Sequence, residues 1–221
     1  MTDRVWGILV SSFVKILVPG IKVTIPLTIT SFALSMVLGV LLAVAQNSKV
    51  KILDKIAQIY IWIFRGTPLI VQLFIIFFGL GSMGIIIPAF WAATLAFGLN
   101  LAAYNAETIR AAIEAIPKDQ YEAASVSGLN YRQTMRHIIL PQASRIAFPS
   151  LFNNLISLLK DTSLAASITV VDLFTAAQQI AARTYEPFAL YCEAAFIYLI
   201  FCTFLTWVQK KIEKHLDLMD K

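Results

Sequence analysis

Lys160-Asp161-Thr162-Ser163 places an ammonium, a carboxylate and two hydroxyls in consecutive positions at the end of an apolar stretch. A second polar set, Asn100, Tyr104 and Glu107, follows the spacing i, i+4, i+7 and shares one helix face, with Arg110 one turn beyond Glu107. An ionised side chain at a bilayer centre costs roughly 2.5–3.5 kcal/mol on insertion scales. Groups of this kind therefore face a bundle interior or sit near an interface. Together they suit recognition of a small zwitterion. Asp161 or Glu107 can accept from an ammonium; Lys160, the hydroxyls of Thr162 and Ser163 or free backbone N–H groups can donate to a carboxylate. The plainer alternative is that these side chains join helices to one another, as Asn153, Asn154 and Ser157 also can. Glu107 with Arg110 equally suits a structural pair near the inner surface. Glu193 stands alone on its segment.

The elements that hold these groups are membrane helices. The chain of 221 residues is 58% hydrophobic and 14% charged, whereas soluble domains carry about 25% charged residues. A net charge of +5 raises the question of nucleic acid. That partner is excluded because the basic residues cluster beside apolar segments instead of forming one polar face. Cys192 and Cys202 lie on one expected helix, about 15 Å apart at 1.5 Å per residue, too far to bridge within the chain.

Five spans are expected, each of about 20 apolar residues: roughly 24–45, a second from about residue 56 to 80, then 86–109, 143–160 and 187–208. The second is interrupted by Arg65-Gly66-Thr67-Pro68, where proline removes a backbone donor and a bend buried in protein is expected, with Arg65 snorkelling or capping it. Residues 1–22 read as an amphipathic helix lying on the membrane. Residues 23–215 form a single membrane domain and 216–221 a tail. The segment 162–186 reads as a loop outside the membrane with a short helix. Lys49, Lys51 and Lys55, the basic residues around 110–145, and Lys210, Lys211, Lys214 and Lys221 all fall on one side of this arrangement. By the positive-inside rule that side is the cytoplasm, with the N-terminus outside and the C-terminus inside.

Between the third and fourth spans lies "DQYEAASVSGLNYRQTMRHIILP", a polar elbow on the cytoplasmic side. Asp119 with Glu122 fits a capping box, Gly128 suits a left-handed helix stop, and Asn130 with Gln133 repeats the start signal. A second short helix is expected to end at Pro141. So much capping argues for an ordered docking surface. Within it, "EAASVSGLNYRQTMRHIILP" resembles the EAA motif of ABC importer permeases, through Glu122, Ala123, Ala124, Gly128, Ile139, Leu140 and Pro141. "FRGTPLIVQLF", "LNLAAYNAETIRAAI" and "LLKDTSLAASITVVDLF" are similar to permeases for polar amino acids of the histidine, glutamine, arginine and cystine group, and "KDTSLA" with "ARTYEPF" is most like L-cystine permeases. Asp119 departs from the glycine common at its position in that family.

The resemblance implies an all-α integral membrane protein of the type I ABC importer permease fold in a bacterial cytoplasmic membrane. Residues 117–141 would be coupling helices that dock on separate ATPase subunits, which bind ATP and magnesium. A second permease chain, an external solute-binding protein and an amino-acid substrate complete the expected set, and no cofactor of the chain's own is expected. No phosphate-binding loop of the form G-x-x-x-x-G-K-[ST] occurs, and no hydrolase or zinc-protease motif. The only histidines, His137 and His215, fall outside the spans, which disfavours an intramembrane enzyme. A secondary transporter would show internal repeats or broken helices in matched halves, and none is evident.

Overall fold

The computed structural model describes residues 3–48 and 50–218. Residues 1 and 2 of the expected surface helix, Lys49, and residues 219–221 of the expected tail lie outside the described residues. In chain order, α1 (Asp3–Pro19) passes through a π-turn (Gly20–Thr24) into α2 (Ile25–Gln46). Helix α3 (Lys51–Gly66) follows, then α4 (Leu69–Phe74), a π-turn (Ile75–Gly79) and α5 (Leu80–Ser82). After α6 (Ala89–Glu114) come α7 (Lys118–Val126), α8 (Tyr131–Thr134), a π-turn (Met135–Ile139) and α9 (Leu140–Asp161). A 3-10 segment (Thr162–Ile168), α10 (Leu173–Thr184) and α11 (Pro187–Leu218) complete the chain.

The centre of the bundle is the contact between α2 and α6. Thr24, Thr28, Ser31, Ser35, Gly39 and Ala43 recur at helical spacing and are all buried. The opposite face carries exposed Ile29, Val37, Leu41 and Val44. Small side chains point inward and large ones outward because lipid gives no hydrophobic drive between helices, so close backbone packing must supply the attraction. Helix α6 answers with Ala92, Ala93, Ala96, Ala102, Ala103 and Ala106, all buried. The approach is close enough that a β-carbon on Gly39 would lie 2.9 Å from Asn105 Cβ and 3.3 Å from the Ala102 carbonyl oxygen. The Asn105 amide, itself fully buried, donates to Ser35 Oγ at 3.0 Å and accepts from the Asn154 amide at 2.9 Å. One side chain thereby ties α2, α6 and α9. Asn154 is a helix-joining residue, while Asn153 and Ser157 are exposed.

Among the described residues, two helices are long and apolar enough to cross a membrane by themselves, Asp3–Gln46 and Pro187–Leu216, and up to four if each bent pair is one span. The first is longer than expected. The separate surface helix expected over residues 1–22 is continuous with α2. Pro19 and Pro26 each remove a backbone donor, and the chain widens into a π-turn instead of breaking. Helix α1 packs against α10 and α11, with Ile16, Leu173, Leu190 and Ile197 in a common core. Glu193 is likewise not alone, since Ser12 Oγ of α1 donates to its Oε2 at 2.6 Å.

The expected bend near Pro68 is present and severe: α3 and the helix of residues 69–82 meet at 104°. The second short elbow helix does not stop at Pro141. Proline there withholds a donor from His137, and a π-turn over Met135–Ile139 absorbs the loss, so that α8 and α9 continue one another. Residues 162–186 contain the expected short helix, but it is docked, with Ala177 and Ala181 buried against α1 and α11. Asp172, fully buried, caps α10 by accepting from Thr175 N at 2.8 Å and Thr175 Oγ1 at 2.7 Å.

Replacing Gly39 by valine should destabilise the fold by about 1–3 kcal/mol through overpacking, whereas Gly7→Ala, which meets nothing within 4 Å, should not. Thermal unfolding of both variants in detergent, followed by size-exclusion recovery, tests this. Equal recovery would refute the close-contact account.

Candidate functional site

The elbow is built from the end of α6, α7, α8 and the start of α9. Its inner face is apolar: Ala112, Ile116, Ile139 and Ala143 form a buried core, against which Tyr121, Met135 and Ile138 pack. Burial raises the Tyr121 phenol above its usual value, and the neighbouring Tyr131 adds to the effect, so the phenol stays neutral. The Gly128 stop is present as a Schellman motif. Gly128 has φ +80°, its N–H reaches the Ser125 carbonyl at 3.0 Å, and Leu129 N–H reaches the Ala124 carbonyl at 3.1 Å. The Asn130–Gln133 capping box is also present, at 3.0 and 2.9 Å. The capping box expected at Asp119–Glu122 is not. Helix α7 begins two residues earlier than that box requires, at Lys118, with Pro117 at its N-cap and no side-chain cap. Asp119 therefore sits inside the first turn, where it favours the helix dipole.

The outer face of the elbow is open. Glu122 and Ala123 are exposed, Ala124 is buried, and Val126 is 90% exposed. Pro141 is exposed on the α9 side. An apolar side chain held out on a packed, doubly capped frame is the geometry of a docking surface.

The expected solute-contacting residues fall into two groups. Asn100, Tyr104 and Glu107 share a face as expected, and that face meets α3. The Phe64 carbonyl would normally accept from residue 68, which is proline and has no N–H. Asn100 Nδ2 donates to it at 3.1 Å and Gln72 Nε2 at 3.0 Å, and Asn100 Nδ2 also donates to Gln72 Oε1 at 3.0 Å. Both Asn100 amide protons are therefore committed to the break. Arg65 lies over the Tyr104 ring, 5.5 Å from its centre. The same guanidinium reaches Glu107 at 3.6 Å. Arg110 holds Glu107 through two bonds of 3.1 and 3.2 Å and reaches Glu114 at 2.6 Å. Gln46, at the end of α2, donates to Glu107 at 3.1 Å. Beside this cluster a cavity of about 420 Å³ opens between α6 and α9, lined by Glu107, Arg110, Ile146 and Ser150.

The second group lies elsewhere. Lys160 and Ser163 line a cavity of about 510 Å³ with Ile156, Tyr191, Tyr198 and Cys202. Asp161 is exposed next to Lys160, whereas Thr162 is buried and donates to the Leu159 carbonyl at 2.8 Å. Counting from the Asn105–Asn154 bond, Glu107 and Lys160 stand ~12 Å apart along the bundle at about 1.5 Å per residue. One α-amino acid head group does not meet both. Sequence reasoning missed Gln72, Gln46 and Asp172. The last accepts from Tyr198 at 3.3 Å and so braces the wall of the Lys160 cavity. A glutamine four residues after a proline inside an apolar stretch was the available sign of the first.

Residues 35–218 match the family of binding-protein-dependent transport system inner membrane components. The chain is 46% identical over 213 residues to the L-cystine transport system permease protein TcyB of Bacillus subtilis (strain 168), covering 96% of this chain and 91% of that protein. It is 43% identical to the probable amino-acid ABC transporter permease protein YckA of the same organism, covering 89% of this chain and 87% of the relative. A solved structure of an amino acid ABC transporter with histidines superposes with a TM-score of 0.90 at 33% identity, over 97% of this chain and all of that one.

Asn100→Leu should lower stability by about 1–3 kcal/mol, because the Phe64 carbonyl and Gln72 lose a buried partner. Thermal unfolding of solubilised protein measures it. An unaltered melting temperature, with only the apparent KM of uptake changed, would return Asn100 to the solute site.

Proposed function

The chain belongs to the family of binding-protein-dependent transport system inner membrane components, and we propose that it carries a polar amino acid of the L-cystine type into the cytoplasm. As a member it is a multi-pass transport subunit of the bacterial inner membrane, without catalytic chemistry of its own. The observation that carries the reading is the elbow, whose Val126, Ala123 and Glu122 stand exposed on a packed frame. In this proposal Glu122, Ala123, Ala124, Gly128 and Pro141 form the part that seats in an ATPase subunit. Glu122 and Ala123 supply contact, Ala124 and Gly128 shape the turn, and Pro141 sits where the elbow passes into α9. ATP and magnesium belong to that partner. A second permease chain closes the pathway, and an external solute-binding protein delivers the substrate.

Five crossings, by α2, α4–α5, α6, α9 and α11, fit this assignment, with the N-terminus outside. Several contacts support that alternation. Thr30 of α2 approaches Thr94 of α6 at 3.4 Å and Gln46 reaches Glu107, so the two helices run parallel. Helix α6 has 26 residues, and its Asn100, Asn105 and Glu107 each bond within the protein. The relationship to an L-cystine permease supports the solute class. The zwitterion contacts are assigned to Lys160, Asp161 and Ser163 at the end of α9, with Thr162 shaping the turn behind them. Binding of ATP to the partner would shift the balance between outward- and inward-facing states through the elbow.

Uptake of labelled L-cystine in a strain lacking the native gene should be competed by unlabelled L-cystine more strongly than by histidine or arginine. Stronger competition by either would change the solute and leave the class intact. Uptake that persists after ATP depletion, with the ion gradient kept, would remove the class itself. Val126→Asp should leave thermal unfolding unchanged and reduce ATP-driven uptake at least tenfold. Asp161→Ala should abolish uptake without preventing assembly, and unchanged transport kinetics in vesicles would remove Asp161 from the site.

A further inference from the structure

Helix α3 carries three parallel stripes. Ala57, Ile61 and Phe64 pack inward, Ala57 and Ile61 being buried, and Ile61 meets Ala103 and Ala106 of α6. Lys51, Lys55, Gln58 and Trp62 follow the same spacing on a second, exposed line. Ile52, Ile56, Ile59 and Ile63 make the third, from 72% exposed at Ile52 to 45% at Ile63. Four exposed isoleucines in one row beside a row of lysines and glutamine are out of place in water. The polar row is equally out of place in the middle of a bilayer.

The position of α3 resolves both. It meets α4 at 104°, and α4 runs along α6, with Gln72 bonded to Asn100 and Leu73 packed in the core that includes Phe97 and Ala93. Helix α3 is therefore steeply inclined to the bundle. Its far end also stays at the level where α2 ends. Gln46, the last residue of α2, donates to Glu107 Oε1 at 3.1 Å, and Arg65, in the last turn of α3, reaches Glu107 Oε2 at 3.6 Å. A helix of this length crossing the bilayer away from the end of α2 would carry Arg65 about 21 Å from its own first residue along the membrane normal.

We infer that α3 is not half of a membrane span but a helix lying in the inner-leaflet interface, its isoleucine row sunk into the phospholipid acyl chains. The lysine row faces the head groups, and Trp62, 76% exposed on that row, stands at the depth favoured by amphipathic rings. The occupant of the exposed face is phospholipid, because the apolar row is bordered by Lys51 and Lys55 in its first half and by Gln58 and Trp62 in its second, and α3 lies in the chain between α2 and α4. This inference rests on the chain's place in the membrane and on no choice of solute.

The test is depth. Nitroxide side chains are attached through a non-natural ketone-bearing residue at 52, 56, 59 and 63, in turn, in the full transporter in phospholipid vesicles, leaving Cys192 and Cys202 untouched. Collision with oxygen and with a water-soluble nickel chelate then reports the depth of each position. All four should be oxygen-accessible at one shallow depth, with labels at 55 and 58 favouring the nickel reagent. A depth that increases by about 16 Å from 52 to 63 would make α3 a spanning helix and overturn the inference. Labels shielded from both reagents and spin-coupled between two copies would overturn it in favour of a permease–permease interface.

Discussion

Everything in this bundle is arranged around how closely α2 approaches α6. Lipid is as apolar as leucine, so membrane helices gain little from hiding large side chains from it. What they gain comes from contact and from hydrogen bonds kept out of water. Gly39 and the serines and threonines of α2 remove bulk, the alanines of α6 remove it from the other side, and the gap is narrow enough for Asn105 to touch Ser35. The same amide then takes Asn154 from α9. Without the small residues these polar groups would not meet, and each would stand as an unsatisfied amide or hydroxyl in the interior.

A second constraint is imposed at Pro68. A carbonyl deprived of its helical donor must find another where no water is at hand. Gln72 and Asn100 provide it, and in doing so join the break to α6. The ion cluster around Glu107 does the same in charge. Arg65 comes from α3, Arg110 from α6 and Gln46 from α2. Asn100, Tyr104 and Glu107 thereby tie together the corner where α2, α3, α4 and α6 meet. The proposed solute contacts lie at the separate Lys160 cavity, where Asp172 and Tyr198 brace the wall.

Much of this was legible in the residues alone. The glycine stop at 128 and the Asn130–Gln133 box are local, and local signals survive folding. The Pro68 break and the Glu107–Arg110 pair were visible for the same reason. The errors have a common origin in proline. Pro19 and Pro141 read as helix ends, yet in each case a π-turn absorbed the missing donor and the helix went on. Pro117 took the N-cap of α7 two residues before the expected Asp119 and cancelled the cap expected there. Asn100 was placed on the right face, but spacing names a face and not the neighbour it meets. That neighbour was set by the angle at Pro68, which no pattern of residues encodes. The buried pairing of Glu193 with Ser12 was hidden because it joins opposite ends of the chain.

The passage from α8 to α9 without a break has a mechanical meaning. From Tyr131 to Asp161 the chain is one rod, about 45 Å long at 1.5 Å per residue, with the elbow at one end and the Lys160 cavity at the other. A tilt of roughly 5° about its middle would shift each end by ~2 Å over that length. Such a rod needs no relay of rearranging side chains. Under the proposed docking, a partner that moved its lower end would move the wall of the upper cavity in the opposite sense.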